Sequence, residues 1–230
     1  MTDIELVMLD CDGVLIDSEY LAAQVESEHL GAWGFAIEPE AFSERFSGMS
    51  EEDIGAVVEK ETGRTLPDGF HEETRRQIHA RVAAEVEVIE GAAEMIAAID
   101  RPVCICSNSG PDYLDTVLER VGLREMLEGH VFSARALGPG REKPRPDVFL
   151  HAAETMGANP VRSLVLEDSV HGVEAARAAG ARAIGFTGGR HSWRGHADAL
   201  TEAGATTVVS RLRDVPRTIA ALAVWDERAA

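Results

Sequence analysis

The chain has no apolar run long enough to cross a bilayer. Its opening stretch, MTDIELVML, lacks the basic segment and long apolar run of a secretory signal. Cysteine is scarce: Cys11, Cys104 and Cys106 are the only three. An odd number without a framework points to reduced thiols and a cytoplasmic location. Cys104 and Cys106 alternate on an expected strand and share a face, which is poor disulfide geometry, and two cysteines without nearby histidines make no zinc site. Positive charge is also in short supply. Lysine and arginine number 22 against 40 acidic residues, a formal net charge of -18. A uniformly acidic surface repels nucleic-acid phosphate and anionic lipid, so neither nucleic acid nor a membrane is expected as a partner. An anionic substrate would need a local positive site built from a metal, a lysine or backbone amides. There is no internal repeat and no low-complexity run.

What is present is enough apolar material for a substantial core: 230 residues, 45% of them hydrophobic, which fits one large domain or one domain carrying a smaller insert. IELVML (4–9) reads as a short buried strand ended by Asp-Gly. From Ser18 the pattern turns helical, with stretches over about 18–33, 39–47, 50–62 and 67–86 separated by glycine-rich breaks. Beyond Gly91 strands and helices alternate: PVCICS (102–107), HVFS (130–133), SLVLED (163–168), ARAIGF (181–186) and ATTVV (205–209) are the strands, and a last helix covers about 213–224. That alternation predicts an α/β, Rossmann-like parallel sheet covered on both faces. The expected division is a core of 1–15 and 89–230 and an inserted α-helical cap of 16–88, hanging beside the carboxyl ends of the strands where ligands bind in such sheets.

Those strand ends carry polar residues. The first gives Asp10 and Asp12, the second Ser107 with Asn108 and Ser109, the fourth Glu167 and Asp168, and the loop before residue 147 gives Lys143. Each has a plain structural reading when taken alone. An Asp-x-Asp in a loop makes a turn or helix cap, Ser107 and Asn108 cap helices, and Lys143 is solvated. In order, each after an apolar strand, they converge on one sheet edge. Four carboxylates there suggest a bound cation, and oxygen-only ligands favour Mg²⁺, which would also remove the repulsion between Asp10 and its acidic neighbours.

DCDGVLIDSE (10–19), CSNS (106–109), KPRPDVF (143–149) and VLEDS (165–169) together resemble the four motifs of the haloacid dehalogenase superfamily of phosphotransferases, in the subgroup of β-phosphoglucomutase and small sugar-phosphate phosphatases. The resemblance covers essentially the whole chain. It implies that Asp10 is the nucleophile that takes the phosphoryl group and that Asp12 is the acid and base for the leaving oxygen and the attacking water. It implies that Asp10, the Asp12 carbonyl, Asp168 and Glu167 serve Mg²⁺, that Ser107 and Asn108 bind the phosphoryl group, and that Lys143 neutralises it. Members that attack carbon lack an aspartate at the position of Asp12.

The substrate expected from the resemblance is a small phosphorylated metabolite, a sugar or sugar-acid phosphate. The rival within the superfamily is a β-phosphoglucomutase-like mutase. Its histidine and its phosphate-binding arginine fall on Ala22 and Glu51 here, which favours hydrolysis, with Arg45 a candidate replacement cation. A non-catalytic sugar-phosphate binder is a further alternative, disfavoured because every catalytic position is filled. In the cap, Glu19, Arg45, Ser47, Gly48 and Ser50 are the candidates for facing substrate. In the loop TGGRHSWRGH (187–196), His191, Trp193 and Arg194 are candidates against the reading of a plain exposed loop.

Overall fold

The computed structural model describes residues 4–46 and 49–225. Six strands form one parallel sheet: β1 (Leu6–Leu9), β2 (Val103–Ser107), β3 (Val131–Ser133), β4 (Ser163–Glu167), β5 (Arg182–Phe186) and β6 (Thr207–Val209), in the order β3-β2-β1-β4-β5-β6. The first strand in sequence is central in space, with Leu9 opposite Ile105 on one side and Leu166 on the other. All of β1 is buried, as a strand apolar on both faces requires.

Between β1 and β2 the chain runs through four helices, α1 (Ser18–Ala32), α2 (Pro39–Phe46), α3 (Glu51–Thr62) and α4 (Phe70–Glu85). The remaining helices, α5 (Ala92–Ala98), α6 (Pro111–Arg120), α7 (Asp147–Thr155), α8 (Val170–Ala178), α9 (His196–Ala203) and α10 (Val215–Trp225), cover the sheet. Side-chain alternation along β1 sorts them into two layers. Val7 and Leu9 pack with residues of α5, α6 and α10, whereas Leu6 and Met8 pack with residues of α7, α8 and α9. The elements agree with the sequence reading apart from α9, which sequence analysis left unassigned. Its segment HADALTEA is closed by Gly204 in the left-handed region, at φ +106°, a conformation that glycine adopts without strain.

The four inserted helices have an apolar cluster of their own, in which Ala23, Leu30, Phe35, Phe42, Phe46 and Val58 are buried. α1 belongs to both, since Leu21 packs into the core of the sheet. The chain enters and leaves the insert side by side. Ile16 bridges Val88, Asp17 N donates to Glu87 O at 3.0 Å, and Ile89 N donates to Leu15 O at 2.9 Å. Among the described residues no helix is long and apolar enough to cross a membrane.

Candidate active site

Parallel strands end on one edge, so polar residues placed just after β1, β2 and β4 meet although they are far apart in sequence. Asp10 is still held by the sheet, its N–H donating to Leu166 O at 3.0 Å. The chain then turns sharply at Gly13, which has φ +76°. A Cβ there would lie 1.9 Å from Asp168 Oδ2, so glycine is required both for the turn and for the approach of the two acidic segments.

Lys143 lies at the centre. Its ammonium donates to Asp10 Oδ1 at 2.5 Å, Glu167 Oε1 at 2.6 Å and Cys106 O at 2.7 Å, which uses all three of its protons. Burial pulls the ammonium pKa down, but Asp10 and Glu167 outweigh it and hold it above the usual lysine range. Asp10 is pushed well up, first by burial and then by Glu167, Asp168 and Asp12, with Lys143 opposing. A single ammonium stands among the carboxylates of Asp10, Glu167 and Asp168, so lysine alone does not balance their charge.

Oxygens of Asp10, Glu167 and Asp168 lie within 4.8 Å of one another. The other Glu167 oxygen accepts from Ser169 N and Oγ, at 3.1 and 2.9 Å, so Glu167 is tied down by the protein at both ends. An all-oxygen, under-neutralised cluster of this size fits a hard divalent cation, with Asp10 and Asp168 the better-placed ligands. His191 Nε2 stands 2.9 Å from Asp168 Oδ2. Burial lowers the His191 pKa, but the adjacent Asp168 carboxylate raises it more, and the net direction is upward. His196 Nε2 lies 2.7 Å from Asp168 O and its ring stacks on Trp193 at 3.9 Å.

Asp12 turns to a different set of partners. It accepts from Ser18 Oγ, Ser109 Oγ and Tyr113 Oη, each at 2.7 Å. A hydroxyl both donates and accepts, so the same three groups can hold this side chain as carboxylate or as acid. Asn108 joins two motifs, its Oδ1 accepting from Lys143 N at 2.7 Å. Ser107 caps the turn after β2 by accepting from Ser109 N at 3.0 Å.

These groups floor a cavity of about 510 Å³, whose opposite wall comes from the insert. Of the expected cap residues, Glu19 lines it. Arg45 does not: its guanidinium pairs with Glu61 and lies over the rings of Phe35 and Phe46. Ser50 is also off the wall, since its hydroxyl caps α3 by accepting from Asp53 N at 3.1 Å. Ser47 and Gly48 lie outside the described residues. Of the loop candidates, His191 and Trp193 line the cavity and Arg194 does not.

A family model described as haloacid dehalogenase-like hydrolase matches residues 4–180. The chain belongs to this family. Among curated proteins this haloacid dehalogenase-like hydrolase is similar to the 6-phosphogluconate phosphatase of Escherichia coli K12, at 31% identity over 193 residues, 84% of this chain and 86% of the relative. Among solved structures it is similar to a haloacid dehalogenase-like protein of Agrobacterium tumefaciens, with 46% identity, a TM-score of 0.93, and coverage of 96% of this chain and 99% of that one. It is also similar to a family hydrolase of Deinococcus radiodurans solved with phosphate and sodium, with 32% identity, a TM-score of 0.83, and coverage of 97% and 98%.

Sequence reasoning passed over the hydroxyls around Asp12. Ser18 and Ser109 sit inside the quoted motifs, yet neither had a role assigned. Tyr113, in the first turn of α6, had no readable signal, since Ser109 precedes the helix and their spacing does not fix which way each faces. Glu26, on the insert wall, had no signal beyond its place on α1.

Proposed function

We propose that this hydrolase is a Mg²⁺-dependent phosphatase of a small phosphorylated sugar or sugar acid, acting through a phosphoryl group carried on Asp10. The observation that carries the reading is the Lys143 ammonium held between Asp10 and Glu167, beside Asp168, at the floor of a cavity. The names of relatives point the same way: 6-phosphogluconate, fructose-1-phosphate and hexitol phosphatases of Escherichia coli.

Asp10 attacks phosphorus. Lys143 aims the carboxylate and offsets the negative charge that gathers in the transition state. Ser107 and Asn108 hold the phosphoryl oxygens. Asp12 gives a proton to the leaving oxygen and later takes one from the water that cleaves the acyl phosphate, with Ser18, Ser109 and Tyr113 fixing its position. Mg²⁺, held by Asp10, Asp168 and the Asp12 carbonyl with Glu167 behind them, would supply positive charge to the phosphoryl oxygens when bound. The insert, about 16–88, is a cap that admits substrate and excludes water by turning at the paired passages near Leu15–Ser18 and Val88–Gly91. Ala22 and Glu51 both line the cavity, which supports hydrolysis over transfer between two phosphates. The three free, buried cysteines support a reducing, cytoplasmic setting.

Asp10→Asn tests the assignment. It should abolish phosphate release from sugar phosphates while leaving the far-UV spectrum unchanged. Retained turnover would remove Asp10 as nucleophile. A wild-type protein inert toward a broad panel of phosphate esters with Mg²⁺ would return the chain to a binding role, and isomerisation of a hexose 1-phosphate without free phosphate would make it a mutase.

A further inference from the structure

The two ends of the cavity differ in charge. The floor holds the groups described above. The insert adds Glu26 of α1 and Glu51 of α3 to the lining, and Glu19, at the start of α1, lies between them and the floor, near Asp168 and His191. Among the described residues that line the cavity, Lys143 is the only lysine or arginine, and its three protons are engaged with the floor. Of the arginines beside lining residues, Arg45 is held by Glu61 and Arg190 by Asp17, and Arg194 is exposed and off the lining, while Arg75 chelates Glu51 with Nε at 3.2 Å and Nη2 at 2.7 Å. Ser47 and Gly48, between the lining residues Phe46 and Met49, carry no charge.

Arg75 answers Glu51, which leaves Glu19 and Glu26. Neither forms an ion pair among the described residues. Burial, and next Glu51, push the Glu26 carboxyl up to about 7. Enclosure, and next Asp168, push Glu19 in the same direction, although its side chain is open to the water of the cavity, which screens part of that effect. Among the described residues the insert wall is therefore rich in acceptors and carries no lysine or arginine, its basic group being the histidine His79.

We propose that the alcohol half of the substrate presents hydroxyl donors and no second anionic group, so that the substrate is a phosphorylated sugar or polyol and not a phosphorylated sugar acid or a bisphosphate. This rests on the phosphatase reading above and sharpens it. A carboxylate accepts hydrogen bonds through both oxygens, so Glu19 and Glu26 can each receive hydroxyls of a polyol chain. A substrate carboxylate or second phosphate would meet those groups as a like charge, partly out of water, with no lysine or arginine among the described lining residues left free to neutralise it. The preference departs from that named in the 31% identical 6-phosphogluconate phosphatase.

Sorbitol 6-phosphate and 6-phosphogluconate make the test, because the two differ at the far carbon, a hydroxymethyl in one and a carboxylate in the other. Both are assayed with Mg²⁺ at about pH 8, above the ordinary imidazole range, with p-nitrophenyl phosphate as a reference substrate. kcat/KM should favour sorbitol 6-phosphate by about tenfold or more, mostly through KM. Glu26→Gln should shrink that ratio by improving 6-phosphogluconate. Cleavage of p-nitrophenyl phosphate together with equal or better use of 6-phosphogluconate would overturn this inference and leave the phosphatase reading standing. Cleavage of none of the three would overturn both.

Discussion

Removing the ammonium of Lys143 should damage the fold before it damages chemistry. The Lys143 side chain is 3% exposed, and its partners Asp10 and Glu167 are 10% and 1% exposed. A surface ion pair contributes about 0–1 kcal/mol. Here water cannot replace the lost partner, and Lys143→Met would leave the carboxylates of Asp10 and Glu167 facing each other with no ammonium between them. Breaking a buried pair from one side costs about 3–5 kcal/mol. For a chain of this size each kcal/mol moves Tm by about 2–4 °C, so the variant should melt about 6–20 °C below wild type. Scanning calorimetry in EDTA reads this directly. Adding Mg²⁺ should narrow the gap, because a cation bound beside Asp10 and Asp168 replaces part of the missing charge. Introducing Glu167→Gln into the Lys143→Met background should recover part of the loss, a coupling of about 1–3 kcal/mol. A metal-free Lys143→Met protein that melts within about 2 °C of wild type would refute the picture of a buried, under-neutralised cluster.

Other outcomes follow from the same geometry. Tyr113→Phe removes one of three hydroxyls from Asp12. kcat should fall about tenfold with KM little changed, and the pH–rate profile should shift; an unaltered profile would mean that the tyrosine only packs. Arg190 ties Asp17 to the loop after β5, stands 3.9 Å from Glu87 and covers the Tyr20 ring at 4.4 Å. Arg190→Ala should lower stability by about 1 kcal/mol or less, since the side chain is half exposed, yet speed proteolysis at the two passages into the insert; protection equal to wild type would argue against a clamp. Glu26, raised to about 7 from its ordinary 4.5, contributes stability that is complete below 4.5 and lost as pH rises through about 7. Glu26→Gln should therefore raise Tm at pH 8 and do so less at pH 5, and equal changes at both would contradict the burial argument.

The strands and the four motifs were legible because each is a local pattern. An apolar run of four to six residues ended by a carboxylate declares a buried strand and its polar tip, and strand–helix alternation implies that the tips share one edge. Sequence by itself therefore determined the sheet, the helical insert between β1 and β2, and the meeting of Asp10, Asp12, Ser107, Asn108, Lys143, Glu167 and Asp168 at one cavity. Tertiary structure decided what each charge on the insert faces. Arg45 and Glu26 are both charged residues on helices of the insert, but Arg45 lies against Phe35, Phe46 and Glu61 while Glu26 lines the cavity. The Tyr113–Asp12 hydrogen bond joins residues 101 positions apart. The rotation of a helix about its axis is set by the apolar surface that it buries against distant segments, and no local pattern records which polar group is carried round with it.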